Sequence, residues 1–254
     1  MPKISATILT YNEEHRIGAC LESLQDIADE IVIVDSGSTD NTVEICKRYG
    51  CSVRVRPFRG FGSQRQYATS LTTHAYVLTI DADEVLSPAL RQSLMKLKVE
   101  GFTHRGYCMS RLNFYCGVPV KHCGWYPDVQ TRLFDKRYAN WNMRDVAEKV
   151  IFRDNVTPEP LDGDILHYRC ETPAEFIEKE RNHSYILAHD IADRKGDIMP
   201  VTPMAAALKA FIKCYFLQGG MLDGLAGRRI SVARYHSTLL AYKAARKVRT
   251  KTGF

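Results

Sequence analysis

Two aspartates separated by one residue are the side chains best suited to chemistry in this sequence. Asp81 and Asp83 follow the apolar, β-branched run at residues 76–80, which predicts a buried strand. In an open α/β sheet, ligands bind where such strands end. Carboxylate oxygens suit Mg²⁺ or Mn²⁺, which are usually held by one or two carboxylates together with substrate phosphates. The pair therefore predicts a divalent-metal site, and the alternative is an N-cap for the helix that Ser87 and Pro88 begin.

Alternating strand and helix patterns supply the elements that would position these aspartates. Apolar runs predict strands at residues 4–10, 31–34, 52–55 and 76–80, and apolar residues at helical spacing predict helices at 13–24, 40–49 and 60–70. Further patterns predict a helix at 87–98, strands at 107–114, 129–134, 146–152 and 165–168, and a helical tail from residue 173. The predicted fold class is α/β, with a Rossmann-like, mostly parallel sheet flanked by helices and a C-terminal helical extension.

Polar side chains follow several of the predicted strands, and parallel neighbouring strands would bring them to one rim of the sheet. A nucleotide bound there would find Asp35 as an acceptor for a base or ribose donor and Arg65 as a contact for phosphate. Asp81 and Asp83 would hold its metal. Alternatively, Asp35 is a turn residue and Arg65 is a solvated helix charge. Their joint position near the aspartate pair favours the nucleotide.

The net charge of +6 is unevenly distributed along the 254 residues. The C-terminal end is strongly basic and has no acidic residue between its first and last basic side chains, which are Arg228, Arg229, Arg234, Lys243, Arg246, Lys247, Arg249 and Lys251. Such a segment suits phospholipid headgroups or nucleic acid. No apolar run reaches the roughly 18 residues that a spanning helix needs, so any membrane contact is expected to be peripheral.

The eight cysteines show no two-residue spacing of a zinc or redox motif, and no signal-peptide pattern precedes the first strand. These observations predict reduced thiols and a cytoplasmic protein.

Four ordered segments of the first hundred residues carry a family resemblance. They read ILTYNEE at 8–14, VDSGSTDNT at 34–42, QRQ at 64–66 and IDADE at 80–84. Together they resemble the nucleotide-binding half of the family 2 glycosyltransferases, which have the GT-A fold and invert the anomeric centre. The resemblance implies a set of residues that bind the nucleotide sugar: Thr10, Tyr11, Glu13, Asp35, Arg65 and Asp81. It also implies that Asp81 and Asp83 form the metal and diphosphate motif.

The rest of the chain carries a narrower resemblance. The sequences WYPD at 125–128, RLF at 132–134 and HY at 167–168, followed by two later glycine-containing pairs at 219–220 and 223–224, are similar to the lipopolysaccharide-core β-1,4-glucosyltransferases. Those enzymes add glucose to an inner-core heptose. One departure is clear: where that subgroup has a His-Glu pair, this chain has Ala147 and Glu148.

This resemblance implies the remaining site residues. Glu148 is expected to be the general base, with Asp128 as second choice and Asp145 as third. The alternative for Glu148 is a surface residue paired with Lys149, and the alternative for Asp128 is a cap of the turn after Pro127.

Four further residues follow from the same resemblance. His167 is expected to complete the metal shell, unless it is a satisfied strand-end histidine. Trp125, Tyr126 and Arg132 are expected to bind the acceptor, although the two aromatics would equally pack a loop.

The expected function is inverting, metal-dependent transfer of a hexose, expected to be glucose, from a UDP-sugar to a lipid-anchored saccharide with an inner-core heptose. The predicted parts are a nucleotide-sugar half at 1–100, an acceptor half at 101–170 and a basic helical extension at 171–254. That extension either meets the cytoplasmic face of the inner membrane or packs on the core. Alternative functions are sugar transfer to a polyprenyl phosphate or another cell-surface polysaccharide, and non-catalytic nucleic-acid or membrane binding. No nucleic-acid module is recognisable, so nucleic acid is not an expected partner.

Overall fold

The computed structural model describes residues 2–143, 148–192 and 202–252, so Asp145 and Ala147 lie outside the described residues. The chain divides into two compact units. The first contains Met1–Arg111 and Asp128–His167, and the second contains Leu112–Pro127 and Tyr168–Phe254.

The described residues form eleven strands and seven α-helices. The strands are β1 (Ile4–Thr10), β2 (Glu30–Asp35), β3 (Ser52–Val55), β4 (Tyr76–Asp81), β5 (Glu84–Leu86), β6 (Gly106–Tyr115), β7 (Val118–Pro119), β8 (Asp128–Asp135), β9 (Ala139–Trp141), β10 (Val150–Phe152) and β11 (Glu159–Cys170). The helices are α1 (Ile17–Ser23), α2 (Thr42–Arg48), α3 (Phe61–Ser70), α4 (Pro88–Glu100), α5 (Pro173–Ala192), α6 (Thr202–Ile212) and α7 (Gly224–Thr252). The predicted strand at 146–152 is observed at Val150–Phe152, and its first two residues lie outside the described ranges.

The main sheet has the strand order β3-β2-β1-β4-β8-β6-β11-β5. Strands β3, β2, β1 and β4 are parallel, as the alternating pattern predicts. Strand β8 runs antiparallel to both β4 and β6, and β5 runs antiparallel to β11. A parallel connection needs a crossover of a dozen or more residues, usually a helix, and α4 is the one described helix between β4 and β11. These pairs of the second half are antiparallel, so the sheet as a whole is mixed.

Strand β4, which ends at Asp81, is covered on both faces. Leu78 and Ile80 belong to a core cluster with side chains of α1 and α4, whereas Val77 packs with Phe134 and Trp141 in a second cluster. A strand buried on both faces is apolar throughout rather than alternating. This explains why the run at 76–80 reads as one continuous apolar segment.

Helices dominate the second unit. Helix α6 continues into a π-helical turn at Lys213–Leu217, and a 3-10 turn at Gly220–Asp223 leads into α7. At Gly227 an added Cβ would lie 1.8 Å from the carbonyl oxygen of Gly220, so this contact requires a residue without a side chain. Among the helices of the described residues, none combines the length and the apolar content that crossing a membrane requires.

Candidate active site

A cleft of about 710 Å³ lies in the first unit at the carboxyl ends of its parallel strands. The polar and aromatic side chains that line it are Thr10, Tyr11, Glu13, Ser36, Phe58, Phe61, Arg65, Asp81, Asp83, Glu148 and His167. Residue 9 of β1 is in register with Asp81 of β4, and Thr10 is in register with Asp35 of β2. The parallel register therefore brings the predicted rim residues together, although positions 9 and 81 are 72 residues apart in sequence.

Asp35 is buried at the end of β2 and is not among the described residues that line this cleft, whereas its neighbour Ser36 is. Its carboxylate accepts hydrogen bonds from the hydroxyl of Thr10 at 3.0 Å and from the amides of Gly37 at 3.0 Å and Ser38 at 2.9 Å. The hydroxyl of Ser38 donates to it as well. Asp35 thus fixes the loop that exposes Ser36, and its predicted contact with a nucleobase stays a prediction.

An aromatic surface borders the same cleft. Tyr11 is 59% exposed, and the rings of Phe58 and Phe61 meet edge to face with centroids 4.9 Å apart. Exposed aromatic side chains can stack on a base or on a sugar ring. The resemblance predicts Tyr11 here. Phe58 lies between a predicted strand and a predicted helix, and Phe61 lies in the first turn of that helix, so neither position marks its side chain as part of a cleft.

An alternating series of charges runs beneath the cleft. Arg65 donates from Nε to Glu148 Oε1 at 3.2 Å and from Nη2 to Asp81 Oδ1 at 2.8 Å. Arg132 Nη2 then bridges Asp81 Oδ2 at 3.2 Å and Glu84 Oε1 at 2.9 Å.

Arg111 extends this series of ion pairs. Its Nη1 donates to Glu84 Oε1 at 3.3 Å, and its Nη2 and Nε donate to Asp128 Oδ2 at 2.6 and 2.8 Å. We call the whole series the ion-pair chain, and its members in order are Glu148, Arg65, Asp81, Arg132, Glu84, Arg111 and Asp128.

The ion-pair chain shifts the pKa values of Asp81, Asp128 and Arg132. Burial favours a raised pKa for Asp81, but the guanidinium charges of Arg65 and Arg132 outweigh it and hold that pKa well below its usual value. For Asp128, burial is likewise outweighed, chiefly by Arg111, and the pKa is lowered. Burial opposes the charge of Arg132, yet Glu84 and Asp81 raise its pKa further above the usual value. These groups therefore stay charged around neutral pH.

Glu84 is the fully buried carboxylate of the ion-pair chain, and the sequence patterns predict no role for it. It is 0% exposed, and besides its two arginine partners it accepts a hydrogen bond from the backbone amide of Asp81 at 2.9 Å. It therefore fixes the turn that carries Asp81 and Asp83. Its position next to the aspartate pair is a local signal, whereas Arg111 lies 27 residues away and gives none.

Asp83 lies outside the ion-pair chain and is close to His167. Its Oδ2 is 3.3 Å from His167 Nε2, and both side chains line the cleft. A carboxylate suits Mn²⁺ or Mg²⁺ when phosphate oxygens complete the shell, and an added imidazole favours Mn²⁺ over Mg²⁺. Within the described ranges, no three His, Cys, Asp or Glu side chains are grouped to hold an ion by themselves. The residues present therefore fit a metal that binds together with a diphosphate, and the expected metal contacts of Asp81, Asp83 and His167 stay predictions.

The two described candidates for the general base differ in their surroundings. Glu148 lines the cleft and keeps one contact with Arg65. Asp128 is bonded to Arg111 and to Gln130, whose Nε2 donates at 2.6 Å, and it is not among the described residues that line the cleft. The geometry favours Glu148 over Asp128.

The predicted acceptor residues have different surroundings. Arg132 is buried, and its bonds to Asp81 and Glu84 indicate that it positions the aspartate pair. Trp125 belongs to the second unit, where its ring packs on Phe176 at 5.9 Å between centroids. Tyr126 lies in that unit too and is half-buried. The acceptor contacts of all three stay predictions.

Comparisons with known proteins point to one family for this chain. Residues 5–150 match the family model described as Glycosyl transferase family 2. An uncharacterized glycosyltransferase of Rickettsia felis is 45% identical over 243 residues, which are 89% of this chain and 83% of that protein. The lipopolysaccharide core biosynthesis glycosyltransferase LpsC of Rhizobium meliloti is 30% identical over 244 residues, 89% of this chain and 86% of that protein.

Among solved structures, the chain is similar to glucosyl-3-phosphoglycerate synthase of Mycobacterium tuberculosis, crystallised with Mn²⁺, UDP and glucosyl-3-phosphoglycerate. The identity is 24% and the TM-score is 0.37, and the similarity covers 44% of each chain, less than half the length of that protein. The family match, by contrast, covers more than half of this chain and includes the residues predicted to bind the nucleotide sugar.

Proposed function

The chain belongs to glycosyl transferase family 2, with the α/β GT-A fold and the transferase activity that the resemblance implied, and from this premise we propose that it transfers glucose from UDP-glucose to a heptose of a lipid-anchored lipopolysaccharide core. One observation carries the proposal. A single cleft collects an aspartate–histidine pair suited to a metal diphosphate, and a carboxylate suited to deprotonate an acceptor. The similarity to LpsC supports the choice of acceptor class.

The reaction is a single displacement at the anomeric carbon. The acceptor hydroxyl forms a bond to this carbon while the bond from the carbon to the diphosphate oxygen breaks, and UDP leaves with the electron pair. Glu148 takes the hydroxyl proton, so no residue forms a covalent intermediate and the anomeric centre inverts. When bound, a divalent cation supplies charge stabilisation for the departing diphosphate.

The residues around the reacting centre have fixed tasks in this proposal. Asp83 and His167 would hold the cation. Arg65 orients Glu148 through its Nε and Asp81 through its Nη2, which holds the base in a fixed position relative to Asp81. Tyr11, Phe58 and Phe61 offer the exposed aromatic surface on which a base or sugar can rest.

The donor is tested with a panel of nucleotide sugars, each with and without Mn²⁺, scored by thermal stabilisation of the protein. UDP-glucose with Mn²⁺ is expected to raise the melting temperature more than ADP-, GDP- or CMP-sugars. In the double variant Asp83→Asn/His167→Ala, the part of the shift that needs Mn²⁺ is expected to disappear. A shift of equal size for all nucleotides, or one indifferent to Mn²⁺ in the unaltered protein, contradicts the proposal.

The acceptor is tested by transfer of labelled glucose from UDP-glucose. A heptose-terminated core is expected to accept the label, whereas a polyprenyl phosphate is expected to accept none. Labelling of polyprenyl phosphate alone would overturn the acceptor and leave the transferase activity intact.

A further inference from the structure

The helical unit contains a groove of about 610 Å³ between α5 and α7. Its apolar lining includes Phe176, Ile177, Leu225, Val232 and Leu240. Three of these side chains are exposed to solvent: Ile177 is 61%, Leu225 is 60% and Val232 is 41% exposed. A concave apolar surface of this volume is in the range of ligand pockets, and exposed apolar surface of this kind marks a binding site.

Positive charge surrounds this groove. The guanidinium-bearing residues Arg181, Arg228 and Arg229 line it and are exposed. Glu180 is the one carboxylate among its described lining residues, and its Oε1 accepts a hydrogen bond from Arg169 at 2.9 Å. Helix α7 contains no acidic residue along its whole length. The groove therefore combines an apolar interior with a cationic border.

Helix α6 in the same unit presents a second apolar surface. Met204, Leu208 and Ile212 are 65%, 54% and 42% exposed, and their spacing of four residues aligns them along one side of the helix. Lys209 and Lys213 accompany them. An apolar stripe with neighbouring lysines is typical of helices that lie in a membrane interface.

We propose that the groove between α5 and α7 binds an acyl chain of an anionic membrane phospholipid, while its arginines contact the headgroup phosphate. The chemistry is that of an amphiphile: the lining requires a hydrocarbon chain, and the border requires a negative charge at one end of it. Inorganic phosphate can pair with the arginines but has no hydrocarbon for the apolar lining. A neutral detergent can fill the lining but has no charge for the arginines. The inference rests on the proposed action at a membrane-bound acceptor and names the lipid contact that would hold the enzyme there.

Vesicle flotation tests the charge requirement. The full chain is expected to float with equimolar phosphatidylcholine and phosphatidylglycerol and to stay at the bottom with phosphatidylcholine alone. Replacing two arginines in Arg181→Glu/Arg228→Glu is expected to weaken binding by at least about thirtyfold, from the contribution of each basic residue near an anionic surface. Equal binding to both vesicle types would overturn the proposal.

Groove variants test the apolar requirement. Val232→Asp on α7 and Ile177→Asp on α5 each introduce a charge into the lining and are expected to reduce flotation at least about tenfold. Val99→Asp is the matched control, because Val99 is 71% exposed and belongs to the first unit. A melting curve for each variant verifies folding. If both folded groove variants float like the control, the chain does not enter the groove and the proposal fails.

Trp125 reports directly on occupancy, because its ring packs on Phe176, which lines the groove. Phospholipids brominated deep in the acyl chain are expected to quench its fluorescence, and Trp125→Phe is expected to lose most of this quenching. Inorganic phosphate is expected to change nothing. Quenching that is unaltered in Trp125→Phe would contradict the proposal.

The two proposals fail in different ways. The groove variants are expected to retain glucose transfer to a water-soluble heptose acceptor while they lose vesicle binding. If UDP-glucose does not stabilise the protein but groove variants still lose lipid, the transferase proposal fails and the lipid site stands. If transfer is normal but flotation is indifferent to the groove variants, the lipid site fails and the transferase proposal stands.

Discussion

Arg65 connects the two chemical tasks of the cleft. Its planar guanidinium bonds Glu148 on one side and Asp81 on the other, and its Cζ lies 4.9 Å from the centre of the Trp141 ring. Because a guanidinium presents its donors in a rigid fork, a displacement of either carboxylate is transmitted to the other. The base and the aspartate pair are thus held in one geometry.

Glu148 is expected to be required for turnover rather than for donor binding. Glu148→Gln removes the proton acceptor but retains the shape of the side chain and a carbonyl oxygen for Arg65. We expect kcat to fall roughly 100- to 10,000-fold, with the UDP-glucose affinity nearly unchanged, because a general base acts in the transition state. Steady-state kinetics and nucleotide titration measure both quantities.

Lys149→Gln serves as the control for this variant, because it changes an exposed charge at the adjacent position. It is expected to turn over like the unaltered enzyme. A Glu148→Gln protein with most of its activity would exclude Glu148 as the base and reopen the choice among the remaining carboxylates.

The buried pair of Arg132 and Glu84 predicts a large stability effect. Arg132→Met removes one of the two guanidinium partners of Glu84, which is fully buried, and one of the two partners of Asp81. Breaking such a pair from one side typically costs about 3–5 kcal/mol. Lys96→Met, which removes an exposed pair with Glu100, is expected to cost at most about 0.5 kcal/mol. Urea unfolding measures the free energy of unfolding of both variants. Equal losses would mean that water solvates the Glu84 carboxylate once Arg132 is removed.

At the residue scale, prediction from sequence succeeded where the signal is local. Asp81 and Asp83 follow a recognisable strand, and the resemblance supplied Tyr11, Arg65 and Glu148, all of which line the cleft. The contacts of Arg111 could not be inferred, because its partners lie 17 and 27 residues away and meet it across strands.

The helical glycines of the two units provide a prediction at the scale of elements. Gly227→Ala would put a methyl group into the backbone of Gly220, so α7 must shift or unwind, at an expected cost of about 1–3 kcal/mol. Gly18→Ala, in α1, meets no atom within 4 Å and is expected to stabilise by up to about 1 kcal/mol through helix propensity. Differential scanning calorimetry of both variants measures the contrast. If Gly227→Ala has the stability of the unaltered protein, the first turn of α7 can move away from the 3-10 turn at Gly220 without a loss of stability.

Element boundaries follow from sequence where local pattern decides them, as for β1 and β3, whose observed bounds match the predicted ones. The predicted start of the first helix at residue 13 is wrong, since α1 begins at Ile17. Here tertiary contacts prevail: the amides of Glu13 and Glu14 donate to Thr42 and Asp40 at 2.8 and 3.1 Å. Strand β5 was missed because it has three residues, too few to show a period.

The whole molecule separates its charges along the chain. The first unit buries carboxylates against arginines near the cleft, whereas α7 is purely basic. Composition alone reveals the basic end. It does not reveal that carboxylates near the cleft are paired with arginines, because that depends on which strands become neighbours.

Acid stability is expected to depend on carboxylates whose folded pKa values are lowered. For Asp29, burial is outweighed by a backbone hydrogen bond from Ile4 and by Lys98, so its pKa is lowered, as are those of Asp81 and Asp128. An aspartate in the unfolded chain has a pKa near 3.9, so below about pH 5 the unfolded chain binds more protons than the folded one. The stabilisation is therefore complete above about pH 5 and is lost as the pH falls through the folded pKa values. Urea midpoints measured from pH 7 to pH 3 are expected to be flat at first and then to fall.

Asp29→Asn isolates one of these contributions away from the cleft. It removes the carboxylate that bonds the amide of Ile4 at 2.8 Å and Lys98 Nζ at 3.0 Å, so it lowers stability at pH 7. Because the variant has nothing to protonate at that position, its midpoint is expected to fall less steeply with acid and to approach that of the unaltered protein near pH 3. If the urea midpoints of the two proteins fall in parallel across this range, Asp29 has the same pKa in the folded and unfolded states. The acid sensitivity would then arise from other carboxylates.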